Sequence, residues 1–371
     1  MKTVYLVNRY VSSIKKEFEK KGYRVLQGNG NNRVEKADFV FSINFEPEIA
    51  EQCSENNMKY VSWIVDCPHT VLFSKKLSND KNFVFLFDYR LYCRMMELET
   101  EAHLFYLPLA SAYEEFEQVL SASIADTKRF EADVSFLGRL YIDREHALFD
   151  QIDAFPKYVQ GYLESLLRIQ HMMWGVNIFR EAISESVWKQ INQVVKWDVG
   201  EDYYGHEKET MINILNQKLA QRERLELCNR LSEKFNFILY SQDDTSFNPA
   251  IVNRGYVDYM KEMPLVFAHS KINLNVTLRS IETGIPLRVL DVLGCGGFLL
   301  TNYQEEIAEY FQDGIDLVVY SDFEDMEQKI QYYLSHEAER KAIAENGNKR
   351  VKELFGYGTQ LEKIISILEE E

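Results

Sequence analysis

Short apolar runs rich in β-formers alternate with amphipathic ones through the first 110 residues. They predict strands at 3–8, 23–27, 38–44, 59–66, 82–88 and 103–109. Two of these runs, FVFSINF and FVFLFD, are apolar almost throughout, as expected of strands covered on both faces by helices. Helix-patterned stretches such as VSSIKKEFEKKG and EPEIAEQCSENN separate them. Strand, helix, strand repeated in this way predicts a parallel, doubly wound sheet.

The pattern stops at 111–128, a polar stretch read as an interdomain connection, and restarts at Ala132 with ADVSFLGRL. Later strands are predicted at 235–241, 272–276, 298–302 and 316–320. Between the first and second strands of this series, residues 143–222 are mostly helix-patterned. A crossover needs only about a dozen residues, so the segment reads as an inserted helical subdomain. Two roles are open to it: a packing or dimer element, which leaves a homodimer possible, or an acceptor-binding lid. The tail predicts two helices separated by Gly356 and Gly358. The expected organisation is an α/β chain with two Rossmann-like domains, 1–128 and 129–355, and a last helix, 356–371, packing back on the first domain.

Composition narrows the partners. A formal net charge of −16 opposes general binding to nucleic acid, because phosphate backbones are repelled over most of the surface. Any anionic ligand must meet a local basic or backbone-amide site. Five cysteines without a CxxC pair point to free thiols in a reducing, cytoplasmic setting. No apolar run approaches the roughly 20 residues that span a bilayer, and the amino terminus has no leader-like apolar core. The histidines show no HxxxH or HExxH spacing, so no metal site is expected.

Two segments carry candidate donor chemistry. In VSFLGRLY a buried strand ends at Gly138, where a residue without a side chain lets backbone approach a ligand at the sheet edge, and Arg139 follows as a phosphate contact. In SKINLNVTLRSIETGIPLRVLDVLGCGGFLLTNYQEE a strand leads to Gly284, Thr283 reads as an N-cap and Pro286 as the first helical turn. The amides there, with the dipole of the helix, form an expected diphosphate site flanked by Arg279 and Arg288. Asp291 lies over one turn into the helix, where it could accept from a ribose diol or merely face solvent. Lys271 faces either phosphate or solvent. GNGNN at 28–32 reads as a polar turn rather than a dinucleotide fingerprint.

The first half offers acceptor chemistry. WIVDCPH places Asp66 and His69 at the carboxyl edge of a parallel sheet, as a base and its orienter or as a local turn fixed by Pro68. Asp88, closing FVFLFD, is a further candidate base, and Cys67 reads as a passive thiol.

From about Ala132 to Gly356 the chain resembles the CgeB-like glycosyltransferases, a bacterial family of GT-B fold. The likeness rests on ADVSFLGRLY, SKINLNVTLRSIETGIPLRVLDVLGCGGFLLTNYQEEIAEYF, DLVVYSDFEDMEQKIQYYL and HEAERKAIAENG. FSINFEPEIAEQC, YVSWIVDCPH and FVFLFD extend it into the first half. It implies two Rossmann-like domains across a cleft, the second binding a nucleotide sugar and the first a hydroxyl acceptor. The implied activity is metal-independent hexosyl transfer with no cofactor beyond the donor itself, a UDP-sugar first. Asp291 falls where many GT-B transferases bind the donor ribose, Gly138 and Arg139 match the diphosphate loop, and Asn302, Tyr303 and Gln304 match the loop near the donor sugar. Lys271 and Asn275, in the strand KINLNV, join this donor set. Retaining members of the fold often carry a glutamate where this chain has Thr283, with Glu282 one position out of register, so inversion is favoured. A nucleotide-sugar epimerase or hydrolase, and a non-catalytic sugar-binding scaffold, are the alternatives on the same fold.

Overall fold

A computed structural model describes residues 1–7, 12–28, 33–122, 127–142, 152–195, 197, 203 and 206–370. Six parallel strands form the first sheet: β1 (Thr3–Leu6), β2 (Arg24–Gln27), β3 (Phe39–Ile43), β4 (Lys59–Ile64), β5 (Asn82–Leu86) and β6 (His103–Tyr106), in the order β2-β1-β3-β4-β5-β6. Six more form the second: β7 (Ala132–Leu137), β8 (Phe237–Tyr240), β9 (Val252–Asn253), β10 (Ser270–Asn275), β11 (Leu299–Asn302) and β12 (Val318–Tyr320), in the order β12-β11-β10-β7-β8-β9. The central strands β4, β5, β8 and β11 are almost wholly buried, which is why their sequences lack the alternation of a half-exposed strand. Edge strand β9, two residues long, escaped the apolar pattern because one of its residues is exposed.

Several strands stop short of their predicted ends. β4 ends at Ile64 and β5 at Leu86, so Asp66 and Asp88 stand in loops beyond the sheet's carboxyl edge. The polar stretch at 111–128 is also not merely a connection, since it contains a helix over Tyr113–Ser121. Phe116, Val119 and Leu120, at i, i+3 and i+4, join the core, and the acidic residues that made the stretch look polar form its outer face.

Within the expected insertion, helices cover Lys157–His171, Phe179–Ala182, Glu185–Val194 and His206–Lys234. They share a core of their own that includes Val159, Leu163, Phe179, Ile191 and Leu215. The last helix runs past 222 without a break and feeds directly into β8. Residues 29–32 of the GNGNN turn and residues 143–151 lie outside the described residues.

The chain then crosses back. Helix Tyr357–Glu370 packs on helix Ser12–Lys20, its Leu361 and Ile364 buried in a cluster with Val4 and Phe18. Lys59 Nζ donates to the Leu368 carbonyl at 3.0 Å, and Lys2 pairs with Glu369 at 2.7 Å. Among the described residues no helix is long and apolar enough to cross a membrane.

Candidate functional site

In the second sheet β7 and β10 are neighbours, but the chain leaves them in opposite directions, towards β8 and towards β11. Such a reversal opens a crevice outside the carboxyl ends of the two strands, where α/β sheets bind ligands. The loop after β7 (138–141) and the loop after β10 (276–286) flank it.

The second loop is braced from beneath by buried polar side chains. Asn275 Nδ2 donates to Thr277 Oγ1 and Thr301 Oγ1, both at 2.9 Å. Asn302 Oδ1 accepts from the Thr277 amide at 2.7 Å, and Gln304 Nε2 donates to the carbonyls of Ile281 and Gly284 at 3.1 and 3.2 Å. Asn275, Asn302 and Gln304 are thus gathered with Gly284, as supports of the loop. Tyr303 is 41% exposed and lies over Gly175, where an added Cβ would stand 3.0 Å from its ring.

Thr283 does not cap the following helix. Pro286 occupies the cap position without a side-chain bond, and the Thr283 hydroxyl donates to Glu306 Oε1 at 2.8 Å. The amides expected to await a diphosphate are engaged. Asp88 of the first domain accepts from the backbone of Glu282, Thr283 and Gly284 at 2.7, 2.9 and 3.0 Å, all through Oδ2.

Arg279 is also placed otherwise than expected. Its Nε and Nη2 donate to Glu223 Oε1 at 3.0 and 2.6 Å, Nη1 donates to the Met173 carbonyl at 3.0 Å, and the guanidinium lies 3.7 Å from the centre of the Trp174 ring. With 6% of its side chain exposed, it ties the loop to the helical insertion instead of facing the crevice. Lys271 is corrected as well. As the second residue of β10 it stands at the amino edge, opposite the crevice, and pairs with Asp133 at 2.7 Å.

A residue that sequence reasoning missed stands close to the expected diphosphate loop. Arg224, buried on the long insertion helix, donates to the carbonyls of Arg139 and Val276 at 2.5 and 3.0 Å and so joins the loops after β7 and β10. The rings of Tyr141 and Phe136 lie 5.0 and 5.4 Å from its guanidinium. Only its distance in sequence from both loops hid it. Gly138 donates its amide to Tyr240 O at 3.1 Å, while the Arg139 side chain is exposed. Tyr141 has a φ of +59°, a strained setting for a residue with a side chain.

Asp291 and Arg288 come together on the helix Leu287–Gly294 at 3.4 Å. Asp291 is 1% exposed, and its Oδ1 accepts from the Tyr259 hydroxyl at 2.7 Å. It therefore does not lie on a solvated face. Burial pushes its carboxyl up to about 6, against the opposing pull of Arg288 and Tyr259.

Across the cleft, Asp66 and His69 are each held, but by different groups. Asp66 Oδ2 accepts from Asn44 Nδ2 at 2.6 Å, and Asn44, at a φ of +64°, takes the amides of Val65 and Asp66 on its Oδ1 at 3.0 and 3.2 Å. His69 Nε2 meets the amide and carbonyl of Phe45 at 3.1 and 3.0 Å. Burial lowers the His69 pKa, so the ring is neutral at neutral pH. His69 faces the second domain and the insertion across a cavity of about 40 Å³ shared with Ser280, Asn177 and Arg180. That space holds a few waters at most and no sugar ring. Cys67 closes one side, donating to the Ser280 carbonyl at 2.9 Å, and burial raises its thiol well above the usual range, as expected of a passive thiol.

Residues 221–366 match the family described as glycosyl transferase-like. No curated protein matches the chain. Among solved structures, a sucrose-phosphate synthase from Thermosynechococcus elongatus is similar at a TM-score of 0.52 and 9% identity, with 100% of each chain covered. The β-glucosyltransferase of phage T4 is similar at 0.52 and 10% identity, with 95% of each chain covered. Two parallel six-stranded sheets with their carboxyl edges facing, in the company of these structures, give the chain the GT-B fold, and the match over 221–366 supports a glycosyltransferase on it.

Proposed function

We propose that the protein transfers a hexosyl group from a nucleoside diphosphate sugar, UDP-linked in the first instance, to a hydroxyl acceptor. The observation that supports this most is the convergence of three backbone amides, from Glu282, Thr283 and Gly284, on a single oxyanion beside the β7/β10 crevice. Successive N–H groups arranged in this way suit a phosphoryl oxygen as well as they suit a carboxylate.

In this reading the donor diphosphate takes those amides, with Arg139 and Arg288 adding full charge. Arg224 positions the two loops, and the Asp291 carboxylate takes the ribose once Tyr259 releases it. The acceptor oxygen attacks the anomeric carbon as its proton passes to His69 or Asp66. The bond from that carbon to the diphosphate breaks, and the departing charge is held by the amides and arginines. One displacement of this kind inverts the anomeric centre.

A thermal-shift screen against UDP, GDP, dTDP, CDP and their sugars, with and without EDTA and repeated on Asp291→Ala, tests the assignment. A ligand at 100 times its dissociation constant adds about 2.7 kcal/mol of stability. One nucleotide family should stabilise the wild type, EDTA should change nothing, and the variant should lose the effect. Sugar-nucleotide consumption that depends on an added acceptor then distinguishes transfer from epimerisation or hydrolysis. A flat screen would remove the transferase reading in favour of a scaffold.

A further inference from the structure

Asp88 bonds on both sides of the cleft. It is the N-cap of helix Tyr89–Met96, where Oδ1 accepts from the Leu91 amide at 2.7 Å. Oδ2 is left to reach the second domain, where it accepts from the amides of Glu282, Thr283 and Gly284 at 2.7, 2.9 and 3.0 Å. Asp88 is 0% exposed, and its four acceptor bonds engage both oxygens. The approach depends on Gly284: a Cβ there would stand 3.0 Å from Asp88 Cα and from the Phe87 carbonyl.

Neighbouring bonds reinforce the same contact. The Tyr89 amide and the Tyr106 hydroxyl donate to Glu306 at 2.8 and 2.7 Å, the Arg90 amide donates to Thr283 Oγ1 at 3.2 Å, and Arg94 pairs with Glu282. A carboxylate seated in an amide nest is a stand-in for the phosphoryl oxygen such a nest suits. Two anions cannot share it.

The geometry points to Asp88 as an internal competitor for the anion cradle of Glu282, Thr283 and Gly284, one that latches the cleft shut and must leave before a phosphoryl group of the donor can enter. This rests on the donor reading above. It makes donor binding and domain opening one event, so the apparent donor affinity is reduced by the fraction of molecules that stay latched. Helix Tyr89–Met96 moves with its cap intact, because the Leu91 bond lies within the first domain.

The test uses inorganic pyrophosphate as the probe, with binding followed by calorimetry and the three cradle amides by hydrogen exchange. Asp88→Asn and Asp88→Ser both keep a good N-cap residue, and the serine is too short to span the cleft. In both variants exchange at 282–284 should quicken by about tenfold or more while Leu91 stays protected, and pyrophosphate should bind about tenfold more tightly than to wild type. Added pyrophosphate should slow the cradle amides again. Equal affinity in wild type and both variants overturns the latch, as does a failure of pyrophosphate to bind any of the three. Sugar-nucleotide turnover by the wild type judges the transfer reaction separately. Turnover with equal affinities sinks the latch alone, whereas a tenfold gain without turnover sinks the transferase alone.

Discussion

Glu223 Oε1 receives both Nε and Nη2 of Arg279, at 3.0 and 2.6 Å, with the carboxylate fully buried and the guanidinium 6% exposed. The pair fastens the loop after β10 to the long insertion helix. Burial is the larger influence on Glu223 and raises its pKa, while Arg279 pulls the other way. Among the described residues Glu223 Oε2 has no hydrogen-bond partner, so the pair is held at a desolvation cost.

Removing one member should therefore be worse than removing both. Glu223→Gln leaves a buried, uncompensated guanidinium and should cost about 3–5 kcal/mol in urea unfolding. Glu223→Leu combined with Arg279→Met should recover most of that loss. A single variant within about 1 kcal/mol of wild type would show that the pair does not hold the loop.

Lys271 gives the opposite expectation. Its pair with Asp133 lies at the wrong end of the sheet, with 53% of the lysine side chain exposed. Lys271→Ala should change stability by less than about 1 kcal/mol and leave nucleotide affinity unmoved in the thermal-shift screen. A lost nucleotide shift would return Lys271 to the donor site.

The two sheets were legible because fully buried parallel strands announce themselves as unbroken apolar runs, as in FVFLF and FILY. Lys271 could have been placed from the sequence too, since the second residue of a strand stands at the edge away from its carboxyl end. Asp88 and Arg279 could not. Both sit beside glycine or strand-end signals that read as ligand chemistry, and in both the deciding partner is remote: Gly284 lies 196 residues from Asp88, and Glu223 lies 56 from Arg279. Periodicity reveals which face of a helix is apolar. It does not reveal that of the adjacent charged residues Glu223 and Arg224 the first is buried against the loop after β10 and the second against the loops after both β7 and β10.

Asp291 links the site to stability. Its carboxyl is raised from the usual 3.8 to about 6 chiefly by burial. The folded state then binds the proton more tightly than the unfolded chain does. This contribution is present at low pH and is lost as pH climbs from about 4 to about 6, by about 3 kcal/mol in all. Asp291→Asn can still accept from Tyr259 and does not titrate. The stability difference between variant and wild type should therefore grow in the variant's favour from pH 4 to pH 7, measured by urea unfolding at each pH. A constant difference across that range would mean that Asp291 is ionised throughout.

The acceptor base can be assigned from the pH profile. Burial lowers the His69 pKa below 6.5, with Phe45 and Asp66 opposing it, so the neutral ring that a base requires persists into mildly acidic solution. The same shift stabilises the fold above pH 6.5 and is lost as pH falls through the lowered value. If His69 accepts the acceptor's proton, kcat/KM rises with pH to a plateau, with a midpoint below 6.5. His69→Gln then removes that limb and lowers kcat by about 10²–10⁴-fold. Asp66, exposed and held by Asn44, is the competing base. Should Asp66→Asn abolish turnover while His69→Gln stays within about threefold of wild type, the proton goes to Asp66 and His69 serves to fix the Phe45 backbone.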